Sequence, residues 1–132
     1  MKKLFAGLLF AAVATTAAYA QNGAVFQFKD KDGIYDFGKV KEGATVTHEY
    51  EFKNTGNAPL QILRVDASCG CTTPEWPKRP ILPGKEASIK VTFTTQGNAG
   101  PTYKEISIQS NAVLADKTKA RYTLVLKGEV TK

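Results

Sequence analysis

Thr45-Val46-Thr47-His48-Glu49-Tyr50-Glu51-Phe52-Lys53 places Val46, His48, Tyr50 and Phe52 at every second position and fills the gaps with Thr45, Thr47, Glu49, Glu51 and Lys53. A period of two sends the two sets to opposite faces of a β-strand, one buried and one wet. The same alternation recurs on either side. Ala24 to Phe28 puts Phe26 and Phe28 on one face, and beyond the turn Lys29-Asp30-Lys31-Asp32-Gly33 a second short strand spans Ile34 to Val40; both are expected to flank the main sheets. Leu60 to Ala67, Ala87 to Thr94, Glu105 to Gln109 and Tyr122 to Glu129 follow. Their expected inward sets are Ile89, Val91 and Phe93, then Ile106 and Ile108, then Tyr122, Leu124 and Leu126. Asn54 to Pro59, Pro83-Gly84, Gln96 to Pro101 and Asn111 to Lys119 carry turn chemistry. No segment reads as a long amphipathic helix. Seven short strands predict an all-β fold, an immunoglobulin-like sandwich of two antiparallel sheets.

The N-terminus has a different grammar. Lys2 and Lys3 precede an apolar run from Leu4 to Ala14, and Ala18-Tyr19-Ala20 is a small-x-small cleavage site before Gln21. This is the pattern of a secretory signal peptide, residues 1 to 20. The apolar run falls short of the roughly 20 residues that a membrane-spanning helix needs, and no second run follows, so a chain that does not span the membrane is expected. No cysteine lies near the cut to carry a lipid. Cleavage leaves residues 21 to 132 as a single domain, periplasmic or extracellular. It also lowers the net charge from +6 to +4. Lys29, Lys53, Lys90, Lys104 and Lys119 are spread over the chain and not clustered with aromatics, which speaks against a nucleic-acid footprint.

Cys69 and Cys71 are the only cysteines. They are too close in sequence to bridge strands of opposite sheets, so the inter-sheet disulfide of antibody domains is excluded. If the strand beginning at Leu60 extends, the parity of Leu63, Val65 and Ala67 continues to Cys69 and Cys71 and turns both thiols toward the core. Residues two apart on a flat strand lie about 6.5 to 7 Å apart, wider than the separation a disulfide tolerates, so a direct bridge needs a turn at Gly70. Three readings stay open: structural thiols, a small redox-active ring, and a soft-metal site. Zinc lacks ligands, since His48 is the only histidine; two thiolates would suit Cu(I), but no methionine remains once Met1 is removed.

Catalysis lacks parts. A cysteine nucleophile would have only His48 as an imidazole base, and the parity of His48 with Tyr50 and Phe52 reads as a sheet-face histidine with its ring hydrogen-bonded. No nucleophile elbow or phosphate loop is present. Asp30-Lys31-Asp32-Gly33 resembles half a calcium loop, but Lys41 stands where a bidentate glutamate would be required. No cofactor is expected.

Pro74, Pro77, Pro80 and Pro83 recur every third residue, the period of a polyproline II helix. This segment reads as a rigid ribbon crossing between the sheets, with Trp76 or Leu82 anchoring it to the core. Trp76, Lys78, Arg79, Ile81 and Leu82 are its candidate partner-binding residues.

Asp36-Phe37-Gly38-x-Val40 with Gly43, Phe52-Lys53-Asn54-Thr55-Gly56 followed by Pro59-Leu60-x-Ile62, Ser68-Cys69-Gly70-Cys71-Thr72, Pro83-Gly84, Ser110-Asn111 and Leu126-Lys127-Gly128 together resemble the bacterial secreted family called domain of unknown function 1573. The resemblance spans nearly all of the chain after the leader. It implies a sandwich similar to the Hydin-like and major-sperm-protein-like immunoglobulin folds, whose members mostly serve as binding or assembly modules, and it implies no established activity.

Two functional classes follow. One is an exported, non-catalytic module that binds a protein or envelope component through a strand edge or the Pro-rich connection. The alternative is a thiol-redox or Cu(I)-handling protein using Cys69 and Cys71. The first expectation concerns export: the intact mass of the natively produced protein should correspond to a chain beginning at Gln21, and a product retaining residues 1 to 20 in the membrane fraction would contradict it.

Overall fold

The computed structural model describes residues 23–114 and 121–132. The expected signal peptide, its cleavage site and most of the turn before Tyr122 lie outside the described residues. Eight strands build two four-stranded sheets: β1 (Phe26–Phe28), β2 (Ile34–Lys41), β3 (Thr45–Asn54), β4 (Ile62–Ala67), β5 (Thr72–Glu75), β6 (Glu86–Thr94), β7 (Gly100–Ser110) and β8 (Tyr122–Thr131). One sheet has the order β1-β3-β6-β5 and the other β2-β8-β7-β4. A single 3-10 turn, Lys31–Gly33, links β1 to β2. The all-β, immunoglobulin-like sandwich expected from the alternation is the fold observed.

Each sheet is built on one long antiparallel pair. β3 and β6 align from Thr45 opposite Thr94 to Lys53 opposite Glu86, and β7 and β8 from Gly100 opposite Val130 to Ile108 opposite Tyr122. The period-two pattern therefore delivers Tyr50, Phe52, Ile89, Val91 and Phe93 from one sheet against Ile106, Ile108, Leu124, Leu126 and Val130 from the other, all buried. Burying an aliphatic or aromatic side chain of this size contributes about 1.5 to 3 kcal/mol, so this layer carries the fold. Phe26, Phe28, Phe52 and Tyr122 close one end in a chain of ring contacts with centroids 4.8 to 5.6 Å apart.

Five details depart from the sequence reading. First, β2 runs parallel to β8, with Ile34 opposite Val125 and Val40 opposite Val130, so that sheet is mixed. Second, a register shift between Ile62 and Arg64 breaks the parity of β4: Val65 is buried but Leu63 is 59% exposed. A bulge inserts one residue on one strand and so flips the face of the residues beyond it. Third, β7 begins at Gly100 and absorbs residues assigned to a turn. Fourth, the Pro-rich stretch is not a polyproline ribbon. Its first part is β5, whose Pro74 lies opposite Val91 at the sheet edge, where a missing N–H is tolerated. Fifth, the segment after β5 does not cross between sheets; it returns within one sheet to β6, and the crossing lies in the short turn between β4 and β5.

Tyr50 ties the sheets together. Its ring is fully buried and its hydroxyl donates to the carbonyl of Val125, 2.7 Å away in the opposite sheet. Burial holds the phenol protonated well above its ordinary range, with the negative charge of Asp30 acting in the same direction. The folded state therefore keeps its proton where the unfolded chain, titrating near pH 10, loses it. The stabilisation is complete below about pH 10 and declines as pH rises beyond that. Tyr50→Phe should cost about 1 kcal/mol at neutral pH, and in urea titrations from pH 7 to 11 its stability should fall less steeply above pH 10 than that of the parent. Equal slopes would contradict this role.

Candidate functional site

Cys69 and Cys71 lie in the turn that carries the chain from β4 in one sheet to β5 in the other, and their sulfurs are bonded to each other with the Cα atoms 5.4 Å apart. The peptide N–H of Thr72 donates to the carbonyl of Cys69 at 3.3 Å, closing the turn. The turn is also fastened to both sheets. Ser68 N–H donates to the Glu105 carbonyl of β7 at 3.0 Å, and Thr94 N–H of β6 donates to the Cys71 carbonyl at 2.9 Å. Both cysteines are half-buried, and Cys71 packs against the core. The Thr72 hydroxyl, on a residue only 4% exposed, lies 4.0 Å from the Cys69 sulfur and 3.8 Å from that of Cys71. A bridged cystine has no S–H, so this hydroxyl is the donor. Among the described residues no three His, Cys, Asp or Glu side chains gather into a metal-holding group.

The candidate partner-binding residues separate in space. Ile81 is not presented to a partner: it is 5% exposed and exchanges two backbone hydrogen bonds of 2.8 Å with Leu60, which is fully buried. This pair, and not Leu82, anchors the connection, since Leu82 is 54% exposed. Arg79 is exposed. Trp76 is half-buried against the edge of the core, and the Lys78 ammonium sits 3.4 Å from its ring centroid, a cation–π contact.

Beside Trp76 the sheet is left open. β5 pairs with β6 only as far as Glu75 opposite Lys90, and the chain then turns away at Pro77. Residues 86–89 of β6 therefore have β3 on one side and, among the described residues, no strand on the other. A groove of about 420 Å3 opens there, lined by Glu75, Trp76 and Pro77 on one flank and by Ala87, Ser88 and Lys90 on the other, and it extends over the outer face of the sheet to Glu49 of β3. A second shallow cleft, about 330 Å3, forms where β2 bulges at Gly38 away from β8, with Tyr103 on its rim.

His48 is a structural sheet-face residue. Its Nε2 lies 3.1 Å from both carboxylate oxygens of Asp30, its ring stacks on Tyr35 with centroids 3.6 Å apart, and it meets the edge of Tyr50 at 4.6 Å. The alternation anticipated the burial but not the partners, because Asp30 and Tyr35 reach it from the other side of the first turn. Sequence reasoning also passed over Asn54 and Thr72. Asn54 carried a turn signal, Asn-x-Gly, but nothing in the sequence marks it as fully buried.

Two four-stranded layers, one of them mixed through the parallel pairing of β2 with β8, define an immunoglobulin-like sandwich of the PapD and major-sperm-protein kind. The structure aligns with the ASH/PapD-like domain 7 of human CEP192 at a TM-score of 0.61 and 9% identity, over 83% of this chain and 87% of that one. It aligns with WR4, a major-sperm-protein family member of C. elegans, at a TM-score of 0.52 and 12% identity, over 82% and 99% of the two chains. A Porphyromonas gingivalis W83 protein of unknown function aligns at a TM-score of 0.68 and 21% identity over 88% of this chain; the match spans about half, 51%, of that protein. No curated protein matches the chain. Residues 26–130 match the family described as Protein of unknown function (DUF1573), and the chain belongs to that family.

Proposed function

We propose that the protein is an exported, non-catalytic module that captures an extended segment of a partner protein along the open edge of β6. The observation that carries this reading is the early end of β5. Along Glu86 to Ile89 no strand among the described residues pairs with the outer side of β6, so the alternate residues that turn their backbone groups away from β3 have no ladder partner there, and Trp76 stands beside them. An added strand would supply the missing ladder bonds, and alternate side chains of that strand would meet Trp76 and Pro77. Tryptophan at the margin of a groove is the residue type that most often dominates binding energy in such contacts.

Several features agree with a non-catalytic role. His48 is engaged by Asp30 and Tyr35, so it is not poised as a base toward Cys69 or Cys71. In the bridged state the sulfurs offer no thiolate to attack a carbonyl or phosphoryl substrate. Export is part of the proposal and rests on Lys2-Lys3, the Leu4 to Ala14 run and Ala18-Tyr19-Ala20. No helix among the described residues is long and apolar enough to cross a membrane.

A photo-crosslinking residue placed at Glu86, an exposed position of β6 at the open edge, in the natively exported protein should yield a discrete adduct with one protein of the envelope. Trp76→Ala and Ser88→Arg, the second filling the groove from an outward position without touching the core, should each lower the adduct yield roughly tenfold while the β-sheet circular dichroism is unchanged. Undiminished yield in both folded variants would overturn the assignment of this edge.

A further inference from the structure

The crossover turn carries chemistry that partner capture does not use. We propose that the Cys69–Cys71 disulfide is a thiol–disulfide exchange site, attacked at Cys69 and assisted by the Thr72 hydroxyl, with an external dithiol as its reaction partner.

Three observations lead there. The bond closes a ring spanning only two residue steps, so it removes little chain entropy from the unfolded state, and its contribution to stability lies at the small end for disulfides. The turn is held independently of the sulfurs, by the Cys69 carbonyl to Thr72, by Ser68 to β7 and by β6 to Cys71. Opening the S–S bond breaks none of those bonds, so the folded chain accommodates both redox states. Access is uneven. Cys71 packs against the core while Cys69, also half-buried, does not, and between them the turn faces open space at Gly70, where a Cβ would meet nothing within 4 Å.

Chemistry follows from that asymmetry. A partner thiolate attacks the Cys69 sulfur; an S–S bond forms between them, the Cys69–Cys71 bond breaks, and Cys71 leaves as a thiolate. That thiolate is 3.8 Å from the Thr72 hydroxyl, already the donor in the bridged state, and a hydrogen bond to an anionic acceptor is stronger than one to neutral sulfur. Thr72 therefore acts as a positioning residue that stabilises the leaving group. The partner's second thiol, losing its proton, then attacks the mixed disulfide, releasing Cys69 and closing the partner's own disulfide. Two electrons pass from the partner dithiol to the cysteine pair, and the two protons of the partner's thiols end on Cys69 and Cys71.

Reaction of the full chain with glutathione, followed by acid quench and peptide mapping, reads the attack site: the mixed disulfide should fall on Cys69. In dithiothreitol, reduction should release two maleimide-reactive thiols per chain while the β-sheet circular dichroism persists. Thr72→Val should slow reduction at least threefold and raise the pH at which the released thiols react with maleimide, and Thr72→Ser, which keeps the hydroxyl, should restore both. Glutathione on Cys71, thiols appearing only as the protein unfolds, or identical rates for the folded Thr72→Val variant and the parent would each overturn the proposal.

Discussion

Asn54 is the buried side chain on which the connections of this sandwich depend. It ends β3, is fully excluded from solvent, and uses every hydrogen-bonding capacity an asparagine has. Its Nδ2 donates to the carbonyls of Ala58 and Ile81, each at 2.8 Å. Its Oδ1 accepts from Val25 at 3.2 Å and from Gly56 at 3.0 Å, while its own peptide group pairs with Lys85 and Gly84. One residue thus joins the entry to β1, the loop after β3 and the return before β6. A buried network of this kind stabilises a unique arrangement when complete and is costly when any member is lost, because each freed partner is a buried or partly buried backbone group. An aspartate would lose two donors and bury a charge; an alanine would orphan all four partners.

That anchor explains how a sandwich carries an open edge without collapsing it. The stretch from Trp76 to Lys85 has no regular structure of its own beyond the Leu60–Ile81 bridge. Long connections remain ordered only when something holds their backbone. Here the Leu60–Ile81 bond pair and the Asn54 contacts to Ile81 and Gly84 hold the far end, and the contact between Lys78 and Trp76 holds the near end. The groove beside β6 is consequently preformed, which would reduce the ordering that a strand bound as proposed has to impose. The crossover turn is built on the same principle at the neighbouring edge: backbone bonds to both sheets set its shape, and the Cys69–Cys71 bridge is superimposed on a turn those bonds already hold.

Legibility in the sequence tracked the strength of the local pattern. β3 and β6 are long, alternate cleanly and bury one face, so their span and inward residues could be read from Thr45–Lys53 and Ala87–Thr94; in β8 the inward Leu124 and Leu126 were legible, but Val125 between them is buried as well and the strand continues to Thr131. β5 escaped because four residues interrupted by Pro74 carry no alternation of their own, and the spacing of the prolines suggested a different periodicity. The parallel pairing of β2 with β8 was invisible, since side-chain parity is the same for either strand direction. Leu63 was misplaced by a bulge, which shifts faces without leaving a compositional mark. The crossover depends on where β5 starts and the groove on where it stops, and both are decided by tertiary pairing. The role of Asn54 was hidden for a related reason: its partners Ile81 and Gly84 lie far along the chain and reach it only after the chain has folded back.

Native-state amide hydrogen exchange tests most directly whether Asn54 organises the molecule. The amides of Val25, Gly56 and Gly84 donate to Asn54 and lie in loops or short connections that would ordinarily exchange through local opening. If the buried network holds them, they should exchange only with global unfolding, with protection comparable to that of Ile89 and Leu124 in the core. Exchange of these three amides several orders of magnitude faster than the core, in a protein whose central strands remain protected, would contradict the account.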